Sequence, residues 1–191
     1  MLTVLVIDES RSRAGEICAG LALAGYQVAA ILAGSENLTA EVEKLQPDVI
    51  LIDTDSPSRD TLEHLAAMNK NMPRPVVIFT QEDGQATIRD AVKAGVSAYI
   101  VDGLDPRRIK PIVEVARARF EDTQALRREL DEISQKLSDR KLVDKAKGVL
   151  MKARGIDEDA AYHAMRKLAM ERGQTMAKVA RDVIDMARVL L

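Results

Sequence analysis

The sequence has no tryptophan, one cysteine, two histidines and few other aromatic side chains, three Tyr and two Phe in 191 residues. The lone Cys18 excludes a disulfide framework and fits a reducing, cytoplasmic setting. With only His64 and His163 beside it, no His/Cys zinc cluster can be assembled. No apolar run approaches the roughly 20 residues that span a bilayer, and 30% of the residues are charged, so a membrane protein is not expected. The strand-like start at Thr3–Ile7 is too short for a signal peptide and has no basic flank. A glycine-rich phosphate loop, a nucleophile–base pair and a cofactor fingerprint are also missing, so neither an enzyme nor a required cofactor is expected. His64 and His163 lie on helical stretches with surface or core roles, and Cys18 reads as buried and inert.

What is present is asymmetry. The formal net charge is only −2, but it is unevenly spread. Residues 1–138 carry 16 basic and 22 acidic side chains, whereas residues 139–191 carry 12 basic and 8 acidic ones. An acidic body is joined to a compact positive module. A polyanionic partner for the tail is one reading; a well-solvated helical surface is the other.

The front half alternates strands and helices. Apolar β-rich runs occur at Leu2–Ile7, Gln27–Ile31, Val49–Ile52, Val76–Phe79 and Ala98–Val101, separated by helical spacing at Ser12–Ala24, Leu38–Leu45, Thr61–Met68 and Ala86–Ala94. The runs are apolar almost throughout rather than alternating, which predicts strands buried on both faces of a parallel sheet wrapped by helices. Gly25 and Gly95 follow helical segments, where a left-handed helix end favours glycine. Five such repeats in about 120 residues fit an α/β flavodoxin-like, doubly wound sheet of order 2-1-3-4-5, with its ligand crevice at the carboxyl ends of the strands. At those ends stand Asp8 and Glu9 after strand 1, Asp53 after strand 3 and Thr80 after strand 4. Converging carboxylates need a hard cation such as Mg²⁺ or a proton to offset their charge. A carboxylate beside Mg²⁺ is in turn a good phosphoryl acceptor.

The segments "VLVIDES", "DVILIDTDSP", "VVIFT" and "AGVSAYIVDG" make residues 1–120 resemble a two-component receiver domain. The resemblance places the phospho-acceptor at Asp53, the acidic metal pocket (Mg²⁺ with Asp53) at Asp8 and Glu9, and the switch hydroxyl and aromatic at Thr80 and Tyr99. One position departs from it. The lysine expected after strand 5 is Asp102 here. At ~4 Å and an effective dielectric near 20, each unit-charge pair is worth about 4 kcal/mol before screening. Exchanging the cation for an anion therefore disfavours a phosphorylated state, and signalling by binding rather than through aspartyl phosphate is expected.

From Ile112 the rhythm changes. Ile112, Ala116, Arg119, Thr123, Leu126, Leu130, Ile133 and Leu137 are spaced alternately four and three apart, and neither Gly nor Pro interrupts Ile112–Lys147. One long helix is predicted, with residues 112–140 as a coiled-coil segment pairing two chains through Leu126–Leu137. The bland alternative folds this stripe back on its own domain.

Residues 139–191 read as a small three-helix bundle. The first helix stops at Gly155. The second is capped by Asp157, carries Ala161, Ala164, Met165 and Leu168 on one face, and stops at Gly173. The third is capped by Thr175 and carries Met176, Val179, Ala180, Val183, Ile184 and Ala187. Gly148 sits inside "DKAKGVLMKA", where glycine costs about 1 kcal/mol relative to alanine. Either a neighbouring helix crosses closely there, which is the commoner case, or another backbone, protein or RNA, approaches.

"AKGVLM" at Ala146–Met151 and "AYHAMRKLAM" at Ala161–Met170 make this tail resemble an ANTAR domain, the RNA-binding module of some transcription antiterminators. Receiver, long helix and ANTAR together are similar to the NasT and AmiR antiterminators, and "SAYIVDGL" looks nearest the NasT type of nitrate and nitrite assimilation. The resemblance implies a dimer that binds paired stem-loops in a leader transcript and is held inactive by a nitrate-sensing protein. Candidate RNA contacts are Lys147, Arg166, Lys167 and Lys178, with Lys145, Gly148, Lys152, Arg172 and Arg181 along a phosphate rail. Tyr162, the tail's one aromatic, reads as core rather than base-stacker. Two competing readings remain: a DNA-binding response regulator activated by phosphorylation of Asp53, and a module that binds only proteins.

Overall fold

The computed structural model describes residues 1–9, 14–101 and 105–190, apart from the side chains of residues 106, 189 and 190. Five strands, β1 (Thr3–Asp8), β2 (Gln27–Leu32), β3 (Val49–Asp53), β4 (Val76–Thr80) and β5 (Ala98–Val101), form one parallel sheet in the order β2-β1-β3-β4-β5. This is the expected doubly wound order. β3 and β4 are buried at every position, as the continuous apolar runs require.

Helices α1 (Ala14–Leu23), α2 (Leu38–Leu45), α3 (Arg59–Asn71) and α4 (Gln85–Lys93) connect the strands. α3 starts two residues before the expected Thr61. Ser58 caps it, its hydroxyl accepting from the Thr61 N–H at 3.0 Å. Gly25 and Gly95 have φ of 85° and 91°, the left-handed helix ends anticipated for them. Two apolar layers cover the sheet. One holds Leu5, Ile7, Ile50, Ile52 and Ile78 with Leu38, Leu65 and Met68. The other holds Val4, Val6, Leu51 and Phe79 with Ile17, Leu21, Ile109, Val113 and Ala116. Cys18 is half-buried rather than buried, because α1 turns Ile17 and Leu21 inward instead.

The final helix of the front unit, α5 (Ile109–Arg154), runs 46 residues, longer at both ends than its uninterrupted apolar stripe indicated. Contacts divide the chain into compact units at residues 1–124 and 125–191, and α5 supplies residues to both. Its stripe divides in the same way. Ala116 is fully buried in the receiver-side layer, whereas Leu126, Leu130, Ile133 and Leu137 are 61, 65, 54 and 54% exposed.

Tyr26 ties the start of β2 to α5, its hydroxyl donating to Glu114 at 3.1 Å. Burial, then the Glu114 carboxylate, pushes this phenol up to about 12. Because the folded chain holds the proton more tightly than the unfolded one, the stabilisation is complete below pH 10 and lost as pH rises through about 12. Two pH units correspond to about 2–3 kcal/mol. Denaturant melts of wild type and Tyr26→Phe between pH 9 and 12 are expected to diverge by about that amount, with only the wild type showing this component of alkaline loss.

The second unit consists of the end of α5, α6 (Glu158–Arg172) and α7 (Met176–Leu190). Asp157 caps α6, accepting from the Ala160 N–H at 2.7 Å, and Thr175 caps α7, accepting from the Lys178 N–H at 3.2 Å. Ala146, Met165, Ala169, Val179, Ala180 and Ile184 form its core, with Leu142, Val143, Leu150 and Leu168 packed around them. Ala164 is exposed, so the inward face of α6 is Ala161–Met165–Ala169. Among the described residues, no helix is long and apolar enough to cross a membrane.

Candidate nucleic-acid interface

The receiver pocket forms where β1 and β3 end. Asp8 and Asp53 are register partners across those strands and are 2% and 0% exposed. The Glu9 N–H donates to the Asp53 carbonyl at 3.2 Å, but the Glu9 carboxylate turns aside and accepts from the Thr61 hydroxyl of α3 at 2.8 Å. Among the described residues, no three acidic, His or Cys side chains are gathered around one point that could hold a metal ion. The three-carboxylate Mg²⁺ cradle anticipated from the sequence is thus reduced to the Asp8–Asp53 pair, because Thr61 holds the third member.

The switch positions are joined through one residue. The Thr80 hydroxyl, fully buried, donates to the Asp55 carbonyl at 2.9 Å and accepts from the Glu82 N–H at 3.2 Å. The Tyr99 hydroxyl donates to the Glu82 carbonyl at 3.0 Å, and burial raises its phenol above the ordinary value. Asp102 lies outside the described residues.

In the second unit the expected contacts separate into engaged and open cations. Lys147 is engaged. Its ammonium lies 2.7 Å from Asp144 and 2.6 Å from Glu158, and its side chain is 15% exposed. Hydrogen bonds donated to these carboxylates hold Lys147 above the usual lysine range, and Lys147 holds Asp144 below the usual carboxylate range. It pins α5 to the first turn of α6, so of the expected RNA contacts Lys147 is, among the described residues, the one held by two carboxylates. Lys178 pairs with Asp182 at 3.1 Å, and Lys167 is 3.9 Å from Glu171. Lys145, Lys152, Arg166, Arg172 and Arg181 are exposed, and among the described residues no carboxylate oxygen lies within 4.0 Å of their charged groups. Among the described residues of this unit Gly148 meets no crossing helix: a Cβ built there would find no atom within 4 Å. Close packing against α6 or α7 therefore does not explain this glycine.

Tyr162 is also not core. It is 41% exposed, with its ring edge-on to His163 at 6.0 Å. The close-packed α6 face has room for Ala161 and Ala169, and Tyr162 sits one position off it. At i and i+4 it shares an outward face with Arg166. An aromatic ring beside an open guanidinium can stack a base and fork onto its edge or a phosphate.

Residues 4–114 match the response regulator receiver domain family, and residues 131–184 match the ANTAR domain family. The chain belongs to the response regulator receiver family and carries an ANTAR domain after its receiver. It is 29% identical over 161 residues to the transcriptional regulatory protein PdtaR of Mycobacterium tuberculosis H37Rv, covering 84% of this chain and 78% of that one. It is 35% identical over 83 residues to the nitrate regulatory protein of Klebsiella oxytoca, covering 44% of this chain and 21% of that protein. Its receiver superimposes on a CheY-like receiver domain protein from Methanospirillum hungatei with a TM-score of 0.56 at 20% identity, covering 63% of this chain and 98% of that one, which shows the shared fold.

Proposed function

We propose that this ANTAR response regulator binds paired stem-loops in a leader transcript and thereby prevents a terminator hairpin from forming. The observation that carries the proposal is the set of open cations on the ANTAR unit. Lys145, Lys152, Arg166, Arg172 and Arg181 are solvated without an acidic neighbour within ion-pairing distance among the described residues, and Tyr162 is exposed one helical turn from Arg166. A merely solvated helical surface gains from pairing its charges along the helix, as Lys167 and Lys178 do. Lys167 and Lys178, whose side chains stay 79% and 53% exposed in these pairs, serve as exchangeable phosphate contacts.

Under the same proposal the active form is a homodimer joined through the exposed Leu126–Leu137 stripe, and it presents one ANTAR unit to each stem-loop. The control genes are those of nitrate and nitrite assimilation, and a separate nitrate-binding sensor protein holds the regulator inactive. The similarity to a nitrate regulatory protein supports this choice. Phosphorylation of Asp53 is not the switch. Asp102 replaces the expected cation, and the Thr80 and Tyr99 hydroxyls already have partners around Glu82. No cofactor is required, and any Mg²⁺ in the receiver would be held by Asp8 and Asp53.

Titration of the full chain with a two-stem-loop RNA at 50–300 mM salt tests the proposal. Uptake with a log–log salt slope of about −4 to −6, as several neutralised phosphates require, is expected. Asp53→Asn is expected to bind and antiterminate like the wild type. Tighter binding to duplex DNA than to RNA, or RNA uptake only after treatment with Mg²⁺ and a small phosphodonor, would favour the DNA-binding, phosphorylated regulator instead.

A further inference from the structure

Gly148 is a helix-destabilising residue that no packing contact among the described residues explains. It lies near the end of α5, six residues before the helix stops, and is flanked by good helix formers. Added side-chain atoms would enter open space. At 100° per residue, Lys141, Lys145 and Lys152 all fall within about 60° of Gly148 on the helix circumference. All three are exposed. Ala146, fully buried, and Leu150 point to the opposite side, into the bundle. Asp144 borders the stripe on its other flank, but its carboxylate is bound to Lys147.

Resting on the RNA reading above, we infer that Gly148 is the seat where an RNA sugar–phosphate backbone lies directly against α5. Lys145 and Lys152, one turn to either side, and Lys141 a further turn back clamp successive phosphates. A glycine lets a bulky chain reach the helix backbone where any Cβ would hold it off. The cationic flanks specify a polyanion. A second copy of this helix, meeting the same face by two-fold symmetry, would set lysine stripe against lysine stripe. The assignment divides the labour within the ANTAR unit: α5 grips the backbone without regard to sequence, whereas Tyr162 and Arg166 on α6 meet bases.

The test uses the full-length chain, a synthetic two-stem-loop RNA and fluorescence anisotropy at several salt concentrations, with circular-dichroism melts and mass by light scattering alongside. Gly148→Ala is expected to weaken binding at least tenfold, and Gly148→Gln more, while the helical melting midpoint stays level or rises by a few degrees. Gly148→Ala should leave the salt slope unchanged, because no charge is removed. Lys152→Gln should lower it by about one. Wild-type affinity in Gly148→Ala would overturn the inference while leaving RNA binding intact. A change of mass in Gly148→Ala would overturn it in favour of a second copy of the chain on this face. Absence of RNA uptake by the unaltered protein would remove the functional reading itself, and is seen before any substitution is made.

Discussion

Leu130→Asp is expected to convert the protein to a monomer and to weaken binding of a two-stem-loop RNA at least 100-fold, while affinity for a single stem-loop stays within about threefold. Leu130 is the most exposed member of the α5 stripe, at 65%, and lies between Leu126 and Ile133. Complete burial of such a side chain is worth about 1.5–3 kcal/mol. Since each is already part-covered by its own helix, pairing adds about 1 kcal/mol per residue, or about 8 kcal/mol for eight residues in a dimer. That is comparable to the 4–15 kcal/mol lost in bringing two chains together. A seam so finely balanced does not tolerate two carboxylates at its centre. The second effect follows from the first. Two ANTAR units on one dimer turn the second stem-loop into an intramolecular ligand, which multiplies affinity by about 10²–10⁴ without new contacts. Light scattering gives the mass, and titrations with one-loop and two-loop RNA separate avidity from damage to the ANTAR surface. A dimeric Leu130→Asp chain would show that the stripe is covered by something else.

The strands were legible because burial on both faces leaves little choice of side chain. Val49–Asp53 and Val76–Thr80 are apolar up to their last residue, and that last residue is the polar one that lines the crevice. The pocket was less legible, since strand ends place Glu9 near Asp53 but say nothing of Thr61, which draws the Glu9 carboxylate away across 52 residues of sequence. Two features of the tail are not legible locally. Glu158 reads in sequence as a favourable first-turn acid of α6, and only the turn at Gly155 brings it to Lys147. Tyr162 reads as core because an aromatic in an apolar-rich helix is usually buried, yet it is 41% exposed. The tight contacts through Ala146, Ala169 and Ala180 leave no space for a ring and displace it one position outward. The signal available was the run of small residues on the inward faces, which specifies a thin core.

Exposure of Tyr162 makes the base-reading surface testable by itself. Base–aromatic stacking is worth about 1–3 kcal/mol per base, so Tyr162→Ala is expected to weaken stem-loop binding about 10- to 100-fold. Tyr162→Phe, which keeps the ring, should lose little. Arg166→Ala is expected to cost a similar factor, and Arg166→Lys to recover only part of it, because an ammonium keeps the charge but not the planar fork. The two residues stand one helical turn apart and would grip the same nucleotide, so the double variant should lose less than the product of the single losses. None of these changes should move the circular-dichroism melt, because both side chains lie outside the Ala146–Met165–Ala169–Val179–Ala180–Ile184 core. The salt slope supplies the decisive contrast. Tyr162→Ala should lower affinity at every salt concentration with the slope intact, whereas loss of a rail cation such as Arg181 should flatten it by about one. Equal affinities for Tyr162→Ala and wild type would return Tyr162 to the solvated surface and leave α6 to bind through charge alone.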